Sequence, residues 1–154
     1  MPVDLWNFAL RLYRRPGVEP ACLQLQAEGG DVCLLLCATW LEWSRIAPDG
    51  ERCALLRDLA RPWQETVVAP LRRLRQDWRE AAREDVRLAA LRGRLQQLEL
   101  DAERELLTRL ETACRDWPEA GANEGTSWLE RLSGNAAHCR DALETLRAAC
   151  RLPD

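Results

Sequence analysis

Residues 88–117 read LAALRGRLQQLELDAERELLTRLETACRDW, with apolar side chains at Leu88, Leu91, Leu95, Leu98, Ala102, Leu106, Leu110, Ala113 and Trp117, spaced 3, 4, 3, 4, 4, 4, 3 and 4. That recurrence keeps one face of a helix apolar while the rest stays polar. The spacing predicts an amphipathic helix from about Glu84 to Trp117, roughly 50 Å long at about 1.5 Å per residue. A helix of this length serves as a spine or as one arm of a hairpin. Pro118 and Gly121 stop it. Upstream, the phase of Leu71, Leu74 and Trp78 does not run into the phase that begins at Leu88, so the chain breaks or twists near residues 80 to 85.

The second decisive stretch is Val32 to Leu41, the longest apolar run. It is about half a membrane span and is read as a central helix, about Val32 to Arg45, capped by Asp31. Before it, Asp4 caps a helix to about Arg15 with Leu5, Phe8 and Leu12 on its apolar face, and Pro16 and Gly17 end it. A second helix, about Val18 to Ala27, stops at Gly29 and Gly30. After the turn Pro48-Asp49-Gly50, a fourth helix carries Cys53, Leu55, Leu56, Leu59 and Ala60, and Pro62 interrupts or restarts it. Pro70 fixes a bend, because it removes a backbone donor from a helical pattern. Beyond a linker from Glu119 to Gly125, short helices are expected at about Ser127 to Leu132 and Ala136 to Cys150, with a frayed end at 151–154 that carries Pro153.

The chain has 154 residues, 47% hydrophobic and 31% charged, with seven Trp but one Phe and one Tyr. These figures exclude a disordered tail, a collagen and a disulfide scaffold, and the scarcity of β-branched residues favours helix. The expected architecture is all-α: a single-domain helical bundle over residues 1–154, with six to seven helices and one long amphipathic helix. All 22 cationic residues are arginine, and the formal net charge is −3. Such a balance lacks the global basic signature of many nucleic-acid binders. No signal-like segment opens the chain, and seven cysteines at irregular spacing read as reduced thiols, so a cytoplasmic protein without a membrane role is expected.

No catalytic set is legible: no paired carboxylates, nucleophile and base, or phosphate-cradling glycine loop can be placed together. Cys33 and Cys37 share a helix face but lack further ligands, and His138 beside Cys139 points elsewhere, so no metal, cofactor or enzyme activity is expected. The unusual feature is Leu71 to Arg94, with eight arginines against four acids, followed by an acidic remainder from Leu95 to Asp154 with twelve acids and seven arginines. Arg72, Arg75, Arg79, Arg83 and Arg87 form one stripe if the segment is a single helix. A solvated face, an acidic partner, nucleic-acid phosphates or this protein's own acidic helix each fit that stripe. Trp6, Trp40 and Trp78 are expected in the core; Trp43, Trp63 and Trp128 have more polar neighbours and are candidates for a binding surface.

The segments Asp4-Leu5-Trp6, Leu12-Tyr13 with Pro16-Gly17-Val18, Cys22 to Gln26, Asp31-Val32 leading to Trp40-Leu41, and Pro70 to Arg75 resemble a small family of uncharacterised proteobacterial proteins about 160 residues long. The resemblance spans roughly the first half, implies a bacterial cytoplasmic origin, and favours Arg72 and Arg75 over their neighbours, as binding residues or as internal partners of Asp4 or Asp31. It transfers no activity. The expected function is a non-catalytic protein–protein interaction or regulatory module using Arg72, Arg75, Arg79, Arg83, Arg87, Trp43 and Trp63. Its partner is another protein, with a homodimer allowed. The alternatives are nucleic-acid or ribosome association through the same stripe, and a small-ligand-binding protein or enzyme with a cleft near Asp31, Tyr13 or His138.

Overall fold

The computed structural model describes residues 3–120 and 127–152. The chain is all-α, with no strand among the described residues. Gly121, most of the expected linker and Pro153 lie outside them.

Helix α1 (Leu5–Tyr13) starts as its sequence requires, with Asp4 accepting from the Asn7 backbone at 2.8 Å, and buries Leu5, Phe8, Ala9 and Leu12. Helix α2 (Val18–Ala27) ends at the glycine pair. Gly29 has φ 89°, and a Cβ on Gly30 would lie 2.9 Å from the Leu25 carbonyl oxygen. Neither position accommodates another side chain without strain or displacement. Helix α3 (Val32–Trp43) is the central element: Asp31 accepts from the Leu34 amide at 3.1 Å, and every residue from Cys33 to Leu41 is buried. It stops before the expected Arg45, because that residue takes a left-handed conformation with φ 59°.

Helix α4 (Gly50–Trp63) accommodates Pro62 inside its last turn. The bend expected near Pro70 takes the form of a π-helical turn, Gln64–Val68. Pro70 has no amide to give to the Thr66 carbonyl, and the chain widens ahead of it, so that the Ala69 amide reaches back five residues to Gln64. Helix α5 (Ala69–Asp77) follows, then one short turn, α6 (Arg79–Ala82). A corner at residues 83–85 separates these from α7 (Val86–Cys114), whose N-terminus is capped by Asp85 through the Arg87 and Leu88 amides, both at 3.1 Å. The phase break near 80–85 is therefore a reversal, with α5 and α6 folded antiparallel onto α7.

The long helix buries Leu95, Ala102, Leu106, Leu107, Leu110 and Cys114, so its seam faces inward along the C-terminal half. Residues 64–105 add no side chain to the main core, leaving the outer part of the α5–α7 hairpin as an arm. After the undescribed segment, α8 (Trp128–Leu132) opens with a capping box between Ser127 and Glu130. Helix α9 (Arg140–Ala149) starts later than the expected Ala136, because a 3₁₀ turn at Gly134–Ala136 precedes it.

Trp128, a candidate for a binding surface by its polar neighbours, belongs to the core instead. It is 1% exposed, donates its indole N–H to the Ile46 carbonyl at 2.6 Å, and stacks on Trp117 with centroids 5.8 Å apart. Beside it, Arg147 joins three helices, bonding Glu42 Oε2 at 3.2 Å and Ser127 Oγ at 2.7 Å, while Glu42 Oε1 accepts from the Leu129 amide at 2.9 Å.

Candidate functional site

The reversal at 83–85 decides the fate of the arginine stripe. Arg72, Arg75, Arg79, Arg83 and Arg87 do not form one continuous face, because α5, α6 and α7 are separate elements. Arg72 and Arg75 turn inward onto Glu99 of α7: Arg75 Nε reaches Oε2 at 2.5 Å and Arg72 Nε reaches Oε1 at 3.1 Å. Arg72 also touches Glu103 at 3.4 Å, and Arg92 locks the arm by donating to the Arg75 carbonyl at 2.9 Å. Of the fits open to these two residues, the structure shows the protein's own acidic helix, with Glu99 and Glu103 rather than Asp4 making the ion pairs.

Arg79, Arg83 and Arg87 stay exposed, with Arg83 paired to Glu80 at 3.4 Å. Trp63 is not a free surface ring: its indole donates to the Ala102 carbonyl at 2.9 Å, and the Arg109 guanidinium lies 4.0 Å from its centroid. Trp43 is 40% exposed and leans on Phe8 with centroids 5.4 Å apart. Trp40 is buried as expected, whereas Trp6 and Trp78 are half-buried.

Beneath the arm lies a cavity of about 320 Å³ between α1, α2, α3, α5 and α7. Trp6, Leu10, Val32, Leu36 and Leu107 form its apolar wall, and Tyr13, Gln64, Arg72, Arg75, Glu99 and Glu103 converge on its polar end. Each polar group is placed by an identifiable local feature. The π turn presents Gln64, whose Nε2 donates to Asp31 Oδ1 at 2.8 Å, the same oxygen that caps α3. A spacing of three on α5 and of four on α7 brings Arg72 and Arg75 against Glu99 and Glu103.

Burial governs the electrostatics of this polar end. It pushes the Asp31 carboxyl up to about 6, although the Leu34 amide, Gln64 and Arg72 all favour the charged form. Glu103 is raised for the same reason, with Arg72 opposing. Glu99 holds Arg75 more firmly protonated through its hydrogen bond. Burial also raises the Tyr13 hydroxyl and pushes the neighbouring Cys22 thiol up to about 11. The cluster thus sets three carboxylates (Asp31, Glu99, Glu103) against two guanidinium groups, and apolar surroundings make each charge expensive.

Sequence reasoning placed Asp31 and Tyr13 near a conditional cleft; the structure puts Tyr13 in the lining of this one, and Asp31 meets it only through its bond to Gln64. It missed Glu99, Glu103 and Gln64. Glu99 sits in the seam of an otherwise leucine-rich face, a legible signal, since it follows Leu95 by four positions and precedes Ala102 by three. His138 is elsewhere, exposed and 3.3 Å from Glu28. Cys33 and Cys37 are buried in α3, where Cys37 neighbours Cys114 of α7.

Fold and site define an all-α protein with a polar-ended apolar cavity, a class that carries no single activity. The chain belongs to the family of proteins of unknown function DUF2390, whose match covers residues 4–110. The match includes all of the cavity's polar end and reaches well past the first half of the chain. No match was found among curated proteins or among solved structures. No helix among the described residues is long and apolar enough to cross a membrane.

Proposed function

We propose that this protein is a non-catalytic helical protein that binds a small molecule in the cavity between α1, α2, α3, α5 and α7. The observation that supports this is the cavity itself: a space of about 320 Å³ with an aromatic and aliphatic wall and a few convergent polar groups. Binding sites for small ligands have this composition. A reducing compartment, the bacterial cytoplasm, belongs to this reading and is supported by cysteines used as buried fillers of a helical core. The test is an NMR titration with 1-hexanol, following the Trp6 indole and the amides of Leu36 and Leu107. Saturable shifts confined to those residues, lost when Leu100→Trp blocks the mouth, are the expected result. Shifts scattered over the surface, or none, overturn it.

The interaction-module reading moves to a different surface. Leu74, Leu91 and Leu98 on the arm are 39%, 49% and 53% exposed, and Leu91 and Leu98 border a groove with Trp78, Arg94 and Asp101. Arg94 and Asp101 flank Leu98 one heptad apart. An antiparallel second copy, related by a two-fold axis between Gln97 and Leu98, sets each Arg94 opposite Asp101 of its mate while covering the leucines. Glu80, Glu84 and Asp85 interleave with Arg79, Arg83 and Arg87 at the arm's end, a mixed charge that favours protein over nucleic acid as the partner. Sedimentation velocity tests this. Arg94→Asp or Asp101→Arg alone should shift the protein toward monomer and the double swap should restore the dimer; a wild type that is monomeric at high concentration removes the reading.

A further inference from the structure

The charges around the cavity identify the chemical class of its occupant, an inference that rests on the small-ligand reading above. Both arginines at the polar end are already engaged. Arg75 places Nε and Nη2 on Glu99, at 2.5 and 3.3 Å, and Arg72 spends its Nε on the same carboxylate. Glu99 is 6% exposed and cannot be released to water without opening the arm. An anionic ligand would meet only the guanidinium N–H groups that these bonds leave over, with the Glu99 and Glu103 carboxylates as like charges beside it.

The acids are less well served. Among the described residues, the only side-chain donor to Glu103 is Arg72 Nη2, at the long distance of 3.4 Å. Asp31 receives an amide and a neutral carboxamide, and no cation bonds it directly. Glu99 and Glu103 match Arg72 and Arg75 in the lining, Asp31 adds a third carboxylate through its bond to Gln64, and Arg104 is turned onto the Trp6 ring, 4.7 Å from its centroid, rather than onto any of the three. Glu103 lines the cavity together with Tyr13, whose hydroxyl and ring face add an acceptor and a π surface.

We propose that the cavity binds an organic cation: a molecule with an apolar body seated between Trp6, Leu10, Leu36 and Leu107, and one protonated amine set against Glu103 beside the Arg72–Glu99–Arg75 cluster. The ammonium completes the charge balance of the cluster, and the body fills the wall that the helices leave uncovered. Burial of Asp31 and Glu103, which raises both carboxyls, is relieved by that added positive charge.

The test compares hexylamine, 1-hexanol and hexanoate at one ionic strength and pH 7.5. These probes have six carbons each and carry a cationic, a neutral and an anionic head. Dissociation constants are taken from NMR titrations of wild type, Glu103→Gln and Leu100→Trp, after circular dichroism confirms that each variant is folded. The expected result is hexylamine at least tenfold tighter than hexanol, hexanoate weakest, and an amine-to-alcohol ratio near one in Glu103→Gln. In wild type alone, the amine's advantage should also shrink as pH falls from 7.5 to 5. Hexanoate as the tightest ligand, or an amine advantage that Glu103→Gln and low pH leave unchanged, overturns the cation and keeps the cavity reading. Failure of all three probes to saturate, or binding insensitive to Leu100→Trp, overturns both.

Discussion

Gln64 and Asp31, thirty-three positions apart, meet at 2.8 Å, so a side chain from the π turn is anchored on the oxygen that caps the central helix. The widened turn before Pro70 and the N-terminus of α3 are thereby one structural unit, and the cavity opens beside it. π turns recur at functional sites because they re-aim side chains that a regular helix would direct elsewhere.

Asp31 gives this unit a pH dependence. Its folded value of about 6 lies above its ordinary 3.8, so the folded state holds the proton more tightly than the unfolded chain between those values. Stability attributable to Asp31 is therefore present at acidic pH and is lost as pH rises from about 4 to about 6, by roughly 1 kcal/mol per pH unit. Asp31→Asn keeps a cap acceptor but does not titrate. The difference in urea midpoints between variant and wild type should grow in the variant's favour across that window and level off above it; a flat difference would refute the assignment.

Glu99 holds the arm. Replacing it with Ala leaves Arg72 and Arg75 facing each other in a half-buried site, which should destabilise by roughly 2–4 kcal/mol. Hydrogen exchange in α5 should accelerate more than in α3, since the arm opens first. Equal acceleration in both helices would show that the ion pairs do not act on the arm in particular.

Trp128 and Trp43 form an internal comparison. Trp128→Ala removes a fully buried ring together with its bond to Ile46 and should cost about 3–5 kcal/mol. Trp43→Ala, at a site 40% exposed, should cost clearly less, on the order of 1 kcal/mol. Thermal denaturation of the two variants measures the contrast, and similar losses would contradict the burial assigned to them.

Arg147 ties α9 to α3 and to the cap of α8 through Glu42 and Ser127. Arg147→Ala should destabilise by roughly 2–3 kcal/mol, while Arg140→Ala, on the exposed side of the same helix, should stay within about 0.5 kcal/mol. Chemical denaturation of both separates the network from helix propensity.

Local features of this protein were legible because their causes are local. The caps at Asp4 and Asp31 follow from a short acidic side chain ahead of a helical run, and the glycine stop after α2 from the conformation that only glycine tolerates cheaply. The leucine seam of α7 and the uniformly apolar start of α3 likewise needed only periodicity. The candidate site was not legible in this way. Its polar end pairs positions 72 and 75 with 99 and 103, a register set by the corner at 83–85, and neither helix carries a signal for the other's register.

The amino-acid sequence by itself determined that this is an all-α protein with a buried central helix and one long amphipathic helix, because those properties depend on spacing along a single helix. Tertiary structure alone decided that Arg72 and Arg75 turn inward, that Trp128 is core, and that a cavity lies beneath the arm. These depend on the angle and register at which helices meet, and a cavity is the space their surfaces fail to fill, which no one segment encodes.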